Sequence, residues 1–337
     1  MLFSSCESIF EKEENEVITN YNLLFDYLST DYAYRDDAAI SIDELYDEYI
    51  QRIIQNPSEQ TFANVLLDIE QDLSDPHFQP PAEAYQLTGR NQIDYSLLRL
   101  ESERDAKGIY PIEVDFIGDG IYFAYGIVIS NPKIGYLRIN NLSSSIGGTG
   151  RLQGNPWREQ IEDILRRLKN RGVNRMIIDV RSSAGGSNYN GLYIANRFIN
   201  KEAVYMLERY LLKNGKTQDF TYSVKPEGNI NFRTGKVALL TNNLTCSGGE
   251  LFTLAMLQRD NLVHIGTPTR GCAGSVVTRD LPNGWNFTIT SSQTFFPDGK
   301  SYFRVGIRPQ IIARNDESYG FTTIEDSVVK RAIKELR

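Results

Sequence analysis

The sequence predicts a mixed α/β protein in which a small N-terminal helical domain precedes a larger α/β core. Two observations predict it. Up to about residue 80 the apolar positions recur at helical spacing. From Lys133 onward, apolar strand-like runs alternate with helical patterns, the mark of repeated βα units. The 337 residues, 41% hydrophobic and 23% charged, suit such an arrangement.

The elements follow in order. Residues 1–15, MLFSSCESIFEKEEN, read as a flexible acidic leader. LFSSC looks like the end of a lipoprotein signal, which makes Cys6 a candidate for lipidation, although the preceding apolar stretch of a full signal is absent. Residues 16–80 form the helical domain. Tyr21, Leu24, Phe25 and Leu28 lie on one helix face. Ser41 and Glu44 form a capping box that starts a second helix, and Phe62, Val65, Leu66, Ile69 and Leu73 mark a third. Residues 81–132 are a linker and a β-hairpin, with a turn at Gly118-Asp119-Gly120. The core domain spans 133–337. Asn155-Pro156 opens a helix there, MIIDV (Met176–Val180) and VALLT (Val237–Thr241) are buried strands of the kind found in sheets covered on both faces, and the chain ends in a helix near 324–336.

Composition also excludes functions. A net charge of −7 argues against a nucleic-acid partner. No apolar run is long enough to span a membrane, so a membrane would be met only through a lipid on Cys6. Three Cys and two His leave little for a metal site, and no metal or other cofactor is expected.

Two Gly-rich junctions follow predicted strands, DVRSSAGGSNYN (Asp179–Asn190) and TCSGGELF (Thr245–Phe252). Ligands of open α/β sheets bind at the carboxyl ends of strands. Ser247, at a strand–helix junction, has its hydroxyl held on a tight turn. The N–H of Gly248 opens the helix, and one from Gly185 or Gly186 is available to complete an oxyanion hole. By itself the pattern is equally that of a capped helix, since Ser is a favoured N-cap.

Four segments in this order resemble peptidase family S41, the tail-specific or C-terminal processing proteases and the related tricorn core. They are MIIDVRSSAGG, LLTNNLTCSGGELF, LVHIGTPTRGCAG, and LPNGWNFTIT followed by FFPDGKSYFRVGIRPQI. The resemblance implies a crotonase-like ββα core. It also implies a serine peptidase acting on extended or unfolded polypeptides. The lipoprotein-like LFSSC is what leads to the expectation of a place outside the cytoplasm, in the periplasm or cell envelope, with a lipid on Cys6. Residues 79–132 are too few for the PDZ domain many members carry, and none is expected. Ser247 corresponds to the nucleophile, and Cys246 then reads as a free, buried packing residue. Where the processing proteases have a Lys base, this chain has Cys272. The tricorn-like branch uses a His after L-x-D-x-H, which DLSDPHF matches at His77. His264, inside LVHIG, reads as a buried structural residue. Two acids of the family pattern are missing, since Phe303 and Gln310 occupy their places. Glu250 and Ser183 are supporting candidates, Glu250 more naturally as a carboxylate at a helix N-terminus. The losses keep a second reading open, a peptide- or ligand-binding protein on the same fold with weakened catalysis.

Overall fold

The computed structural model describes residues 4–36, 41–90, 112–116, 123–143, 156–212, 214–314 and 326–337. The first four helices are α1 (Ser4–Asp31), α2 (Ile42–Gln55), α3 (Glu59–Leu73) and α4 (Ala82–Thr88). α2 starts at the expected capping box, with Ser41 accepting from the Glu44 N–H and Glu44 reaching back to the Ser41 N–H. α1 begins at Ser4, so most of the stretch expected to be a flexible leader is helical in its backbone. Its Glu and Lys residues are good helix formers, which charge alone conceals. The side chain of Cys6 and the turn at 118–120 lie outside the described residues. α4 was not foreseen. Its seven residues, from Pro81 at the N-cap to the left-handed Gly89, are too few to display a helical period.

Beyond α4 come β1 (Ile112–Phe116), β2 (Phe123–Val128), β3 (Ile134–Ile139), α5 (Pro156–Asn170), β4 (Arg175–Asp179) and α6 (Asn188–Phe198). Next are β5 (Ala203–Leu211), β6 (Thr217–Val224), β7 (Val237–Thr241), α7 (Gly248–Met256) and β8 (Leu262–Gly266). The chain closes with β9 (Val276–Asp280), β10 (Asn286–Thr290), β11 (Ser292–Phe295), β12 (Ile311–Ile312) and α8 (Ser327–Glu335).

Seven strands form the main sheet in the order β1-β2-β3-β4-β7-β8-β12. The β1–β2 and β2–β3 pairs are antiparallel, and β3–β4, β4–β7, β7–β8 and β8–β12 are parallel. Side chains alternate between the faces, as the strand period of two requires. Met176, Ile178, Val237 and Leu239 enter one apolar cluster with α5, α6 and α7. Ile177, Ala238, Leu240 and Ile265 enter a second with Val328, Val329, Ala332 and Ile333 of α8. Both faces are thus covered, which is why β4 and β7 run apolar through consecutive positions, Met176–Ile178 and Val237–Leu240, before the polar Asp179 and Thr241.

The chain groups into two compact units. One holds residues 1–94, 208–220 and 274–294, the other 95–207, 221–273 and 295–337. The core expected to run unbroken over 133–337 is therefore interrupted twice. Within the helical unit, β9 and β10 form an antiparallel hairpin. Its Trp285 ring stacks on Phe62 of α3 at 5.7 Å, and Arg279 pairs with Asp31 of α1 at 2.6 Å. An alternating pattern announces a strand, but not the unit that supplies its apolar cover.

Candidate active site

The β4–β7 pairing is parallel, so the two Gly-rich segments leave the sheet from neighbouring strands at the same edge. Hydrogen bonds join them side by side. Thr245 Oγ1 donates to Val180 O at 2.8 Å and the Cys246 N–H to Ser183 O at 3.0 Å. Asn242 Oδ1 accepts the Ser182 N–H at 2.7 Å, and its amide donates to Ser182 Oγ at 3.0 Å.

Asp179 anchors the first segment. It is fully buried, accepts the Tyr136 hydroxyl at 2.8 Å, and receives the Arg181 backbone N–H and guanidinium at 2.6–3.1 Å. Burial pushes its pKa up, but the Arg181 and Arg138 charges more than offset that and bring it down to about 2. Arg181 also donates to Asp326, the N-cap of α8, at 2.7 Å.

Ser247 occupies the N-cap of α7 with φ 52° and ψ −123°, and its side chain makes no capping bond. A non-glycine residue at positive φ is strained, and such strain concentrates at functional positions. The hydroxyl is therefore not occupied as an ordinary helix cap would be. Leu251 N–H donates to Ser247 O at 3.1 Å, so the strained residue is the first turn of the helix itself. Among the described residues, no backbone acceptor meets the N–H of Gly248, Gly185 or Gly186.

Gly248 and the Gly185–Gly186 pair are in direct backbone contact. A Cβ on Gly248 would lie 2.4 Å from Gly186 O, and one on Gly185 would lie 2.6 Å from Gly248 N. Gly185 and Gly186 have φ of 90° and 124°, values that favour glycine. The three glycines let two strand-end segments touch beside Ser247.

Glu250 and Ser183 sit behind this arrangement. Glu250 is fully buried and accepts Thr269 Oγ1 at 2.5 Å, Gly271 N–H at 2.8 Å and Cys272 N–H at 2.7 Å. Burial raises its pKa, and those three donors oppose the shift. The carboxylate ties residues 269–272 to α7. Ser183 is also fully buried, its Cβ beside Gly249, and its hydroxyl has no hydrogen-bond partner among the described residues.

Cys246 is not free, as expected from the sequence, but bonded to Cys272, with Cα atoms 5.6 Å apart. Once Glu250 draws residues 269–272 onto the start of α7, the two Cys come within disulfide reach. Cys272 Sγ also accepts the Ser247 N–H at 3.2 Å. The contact depends on a fold-level approach across 26 residues, which sequence spacing does not reveal.

Ser247 belongs to the α/β unit and His77 to the helical unit. α3 ends in a left-handed Ser74, and Asp75-Pro76 carry the chain into a turn that places His77. His77 is 7% exposed. His264 is buried in β8, its Nε2 2.8 Å from Thr241 Oγ1. Burial pulls its pKa down to about 4. Gln310, at one missing acidic position, accepts the His264 N–H at 3.2 Å, and Phe303, at the other, stacks with Arg304 at 5.0 Å.

Residues 133–313 match the model of peptidase family S41, more than half of the chain. The carboxy-terminal processing protease CtpA of Bacillus subtilis is 25% identical over 155 residues, 46% of this chain and 32% of that protein. The chloroplastic carboxyl-terminal-processing peptidase 2 of Arabidopsis thaliana is 23% identical over 231 residues, 68% of this chain and 40% of that protein. The chain thus matches well under half the length of these two relatives. Among solved structures, one from Parabacteroides merdae superposes with a TM-score of 0.75 at 18% identity, covering 95% of this chain and 96% of the other. Mature CPAF in complex with lactacystin gives 0.65 at 13% identity, covering 89% and 94%. At these identities the structural likenesses concern the fold.

Proposed function

The chain belongs to peptidase family S41, and from that premise we propose that it is a serine peptidase with Ser247 as nucleophile and His77 as general base. The observation that carries this reading is the strained Ser247 at the start of α7, φ 52°, with its side chain unused as a cap. In the proposed reaction His77 takes the hydroxyl proton as Oγ attacks the peptide carbonyl, then gives it to the leaving amine. The N–H of Gly248, with that of Gly185 or Gly186, stabilises the oxyanion. Substrates are extended or unfolded polypeptides, in keeping with relatives named for carboxyl-terminal processing.

The work is proposed to take place outside the cytoplasm. The Cys246–Cys272 bond suits an oxidising compartment. LFSSC suits a lipid tether at Cys6. Among the described residues, no helix is long and apolar enough to cross a membrane.

A fluorophosphonate probe tests the chemistry. Labelling of the full chain is expected to vanish in Ser247→Ala and to fall by about a hundredfold or more in His77→Ala, the scale of general-base assistance. A folded sample that does not label would overturn the peptidase reading in favour of a peptide-binding protein, the reading that Phe303 and Gln310 favour.

A further inference from the structure

The family pattern loses its two expected acids at Phe303 and Gln310, yet an unused carboxylate lies two residues before His77. Asp75 is 2% exposed, and its two carboxylate oxygens accept one bond each, from the His77 backbone and from Thr290 of β10. Its Oδ1 accepts the His77 backbone N–H at 2.9 Å. Its Oδ2 accepts the hydroxyl of Thr290 at 2.6 Å, a length typical of an O–H donor on a carboxylate. Thr290 Oγ1 in turn lies 3.5 Å from His77 Nδ1, and the threonine is 1% exposed.

The proton count favours one direction for this chain. A threonine hydroxyl has one hydrogen. Given to the carboxylate, it leaves only lone pairs toward the imidazole, an arrangement that suits a hydrogen on Nδ1 across the 3.5 Å to Thr290. Nε2 then holds the lone pair, as a proton acceptor requires. Bonds to the main chain hold the turn in place. Thr288 Oγ1 donates to His77 O at 2.7 Å, and Gln79 and Thr288 exchange backbone hydrogen bonds at 3.1 and 3.2 Å. The turn carrying His77 is thereby fastened along β10, the strand that presents Thr290.

We propose that Asp75, acting through the Thr290 hydroxyl, is the acidic positioning residue for His77, fixing its Nδ1–H tautomer and stabilising the imidazolium formed during the reaction. This rests on the reading of His77 as general base.

The test uses the full chain. With only two histidines, His77 and His264, ring nitrogen resonances in a ¹⁵N-histidine sample are assigned from a His264→Gln variant. The neutral His77 ring of the wild type is expected as the Nδ1–H form. In Thr290→Val it shifts toward Nε2–H, and fluorophosphonate labelling falls about tenfold or more, whereas Thr290→Ser restores both. If Thr290→Val does not fold, Asp75→Asn replaces it, with the same tautomer shift and rate loss expected. An unchanged tautomer and rate in the folded variant, with His77→Ala still slowing the labelling, would overturn the positioning role alone. Labelling that His77→Ala leaves untouched would overturn the base reading and this proposal together.

Discussion

At the residue scale, the two histidines divide by their surroundings. His77 is held by Asp75, Thr288 and Thr290, all groups that orient a ring or its backbone. His264 faces one hydroxyl in an apolar strand. Thr241 donates its hydrogen to Thr267 O at 3.0 Å and therefore accepts from His264 Nε2–H, a contact that needs no positive charge. Burial holds the folded-state pKa at about 4 against an ordinary 6.5. A His buried neutral must be deprotonated to fold. Between those values the unfolded chain binds more protons, so stability is present above about 6.5 and is lost as pH falls toward 4. A shift of that size corresponds to about 3 kcal/mol. Urea melts at pH 7.0 and 4.5 measure it. His264→Gln is expected to remove most of that pH-dependent loss, whatever it does to stability at neutral pH, and an unchanged loss would show that other groups cause it.

At the element scale, the start of α7 depends on contacts that no local propensity describes. Gly248 has no positive φ among the glycines that do, so an alanine there suffers only from the approach of Gly186. Gly248→Ala must push the 185–186 segment away. It is expected to cost about 1–3 kcal/mol, typical of overpacking, and to cut fluorophosphonate labelling about a hundredfold, as lost oxyanion donors do. A melt and a labelling time course on one sample check both, and full labelling would remove the 185–186 segment from the oxyanion role. The Cys246–Cys272 bond closes a 26-residue separation, for which chain entropy gives about 3.5 kcal/mol. Denaturant melts with and without reductant are expected to differ by an amount of that order. Much of this region was legible in the sequence. The Gly-rich runs after apolar strands, the capping box at Ser41 and the paired motifs are local signals, and the strands and helices around them formed where expected. The disulfide and the Asp75–Thr290 contact were not legible, because each joins side chains brought together only by tertiary approach. Residues 203–224 gave no strand expectation either. In β6, Phe220, Tyr222 and Val224 alternate with Thr221 and Ser223, a local strand signal, yet the strand is mostly exposed and only Val224 is buried.

At the scale of the whole molecule, the two compact units do not follow the order of the chain. The helical unit takes residues 274–294 from a point nearly two hundred residues beyond α4. That hairpin supplies part of the unit's apolar interior. Trp285 stacks on Phe62 at 5.7 Å, and Phe287 meets Phe78 at 6.0 Å and Tyr27 at 6.1 Å. Trp285 and Phe287 are both buried, and each buried aromatic of this kind contributes about 1.5–3 kcal/mol. The hairpin also adds polar closure, since Arg279 pairs with Asp31 and Asn20 accepts the Asn283 N–H at 3.2 Å. A boundary drawn at residue 80 from helical periodicity would therefore cut the unit from its own cover. A fragment of residues 1–94 exposes Phe62, Phe78 and Tyr27 where the hairpin lay. It is expected to melt without a cooperative transition and to bind a hydrophobic dye, because the loss of several such contacts matches the whole stability of a small domain. Joining 274–294 to its C-terminus through a flexible linker restores Trp285 and Phe287 and should restore a cooperative melt. A cooperative transition from 1–94 alone would show that α1–α4 suffice, and the hairpin would then be an accessory to a domain that folds without it.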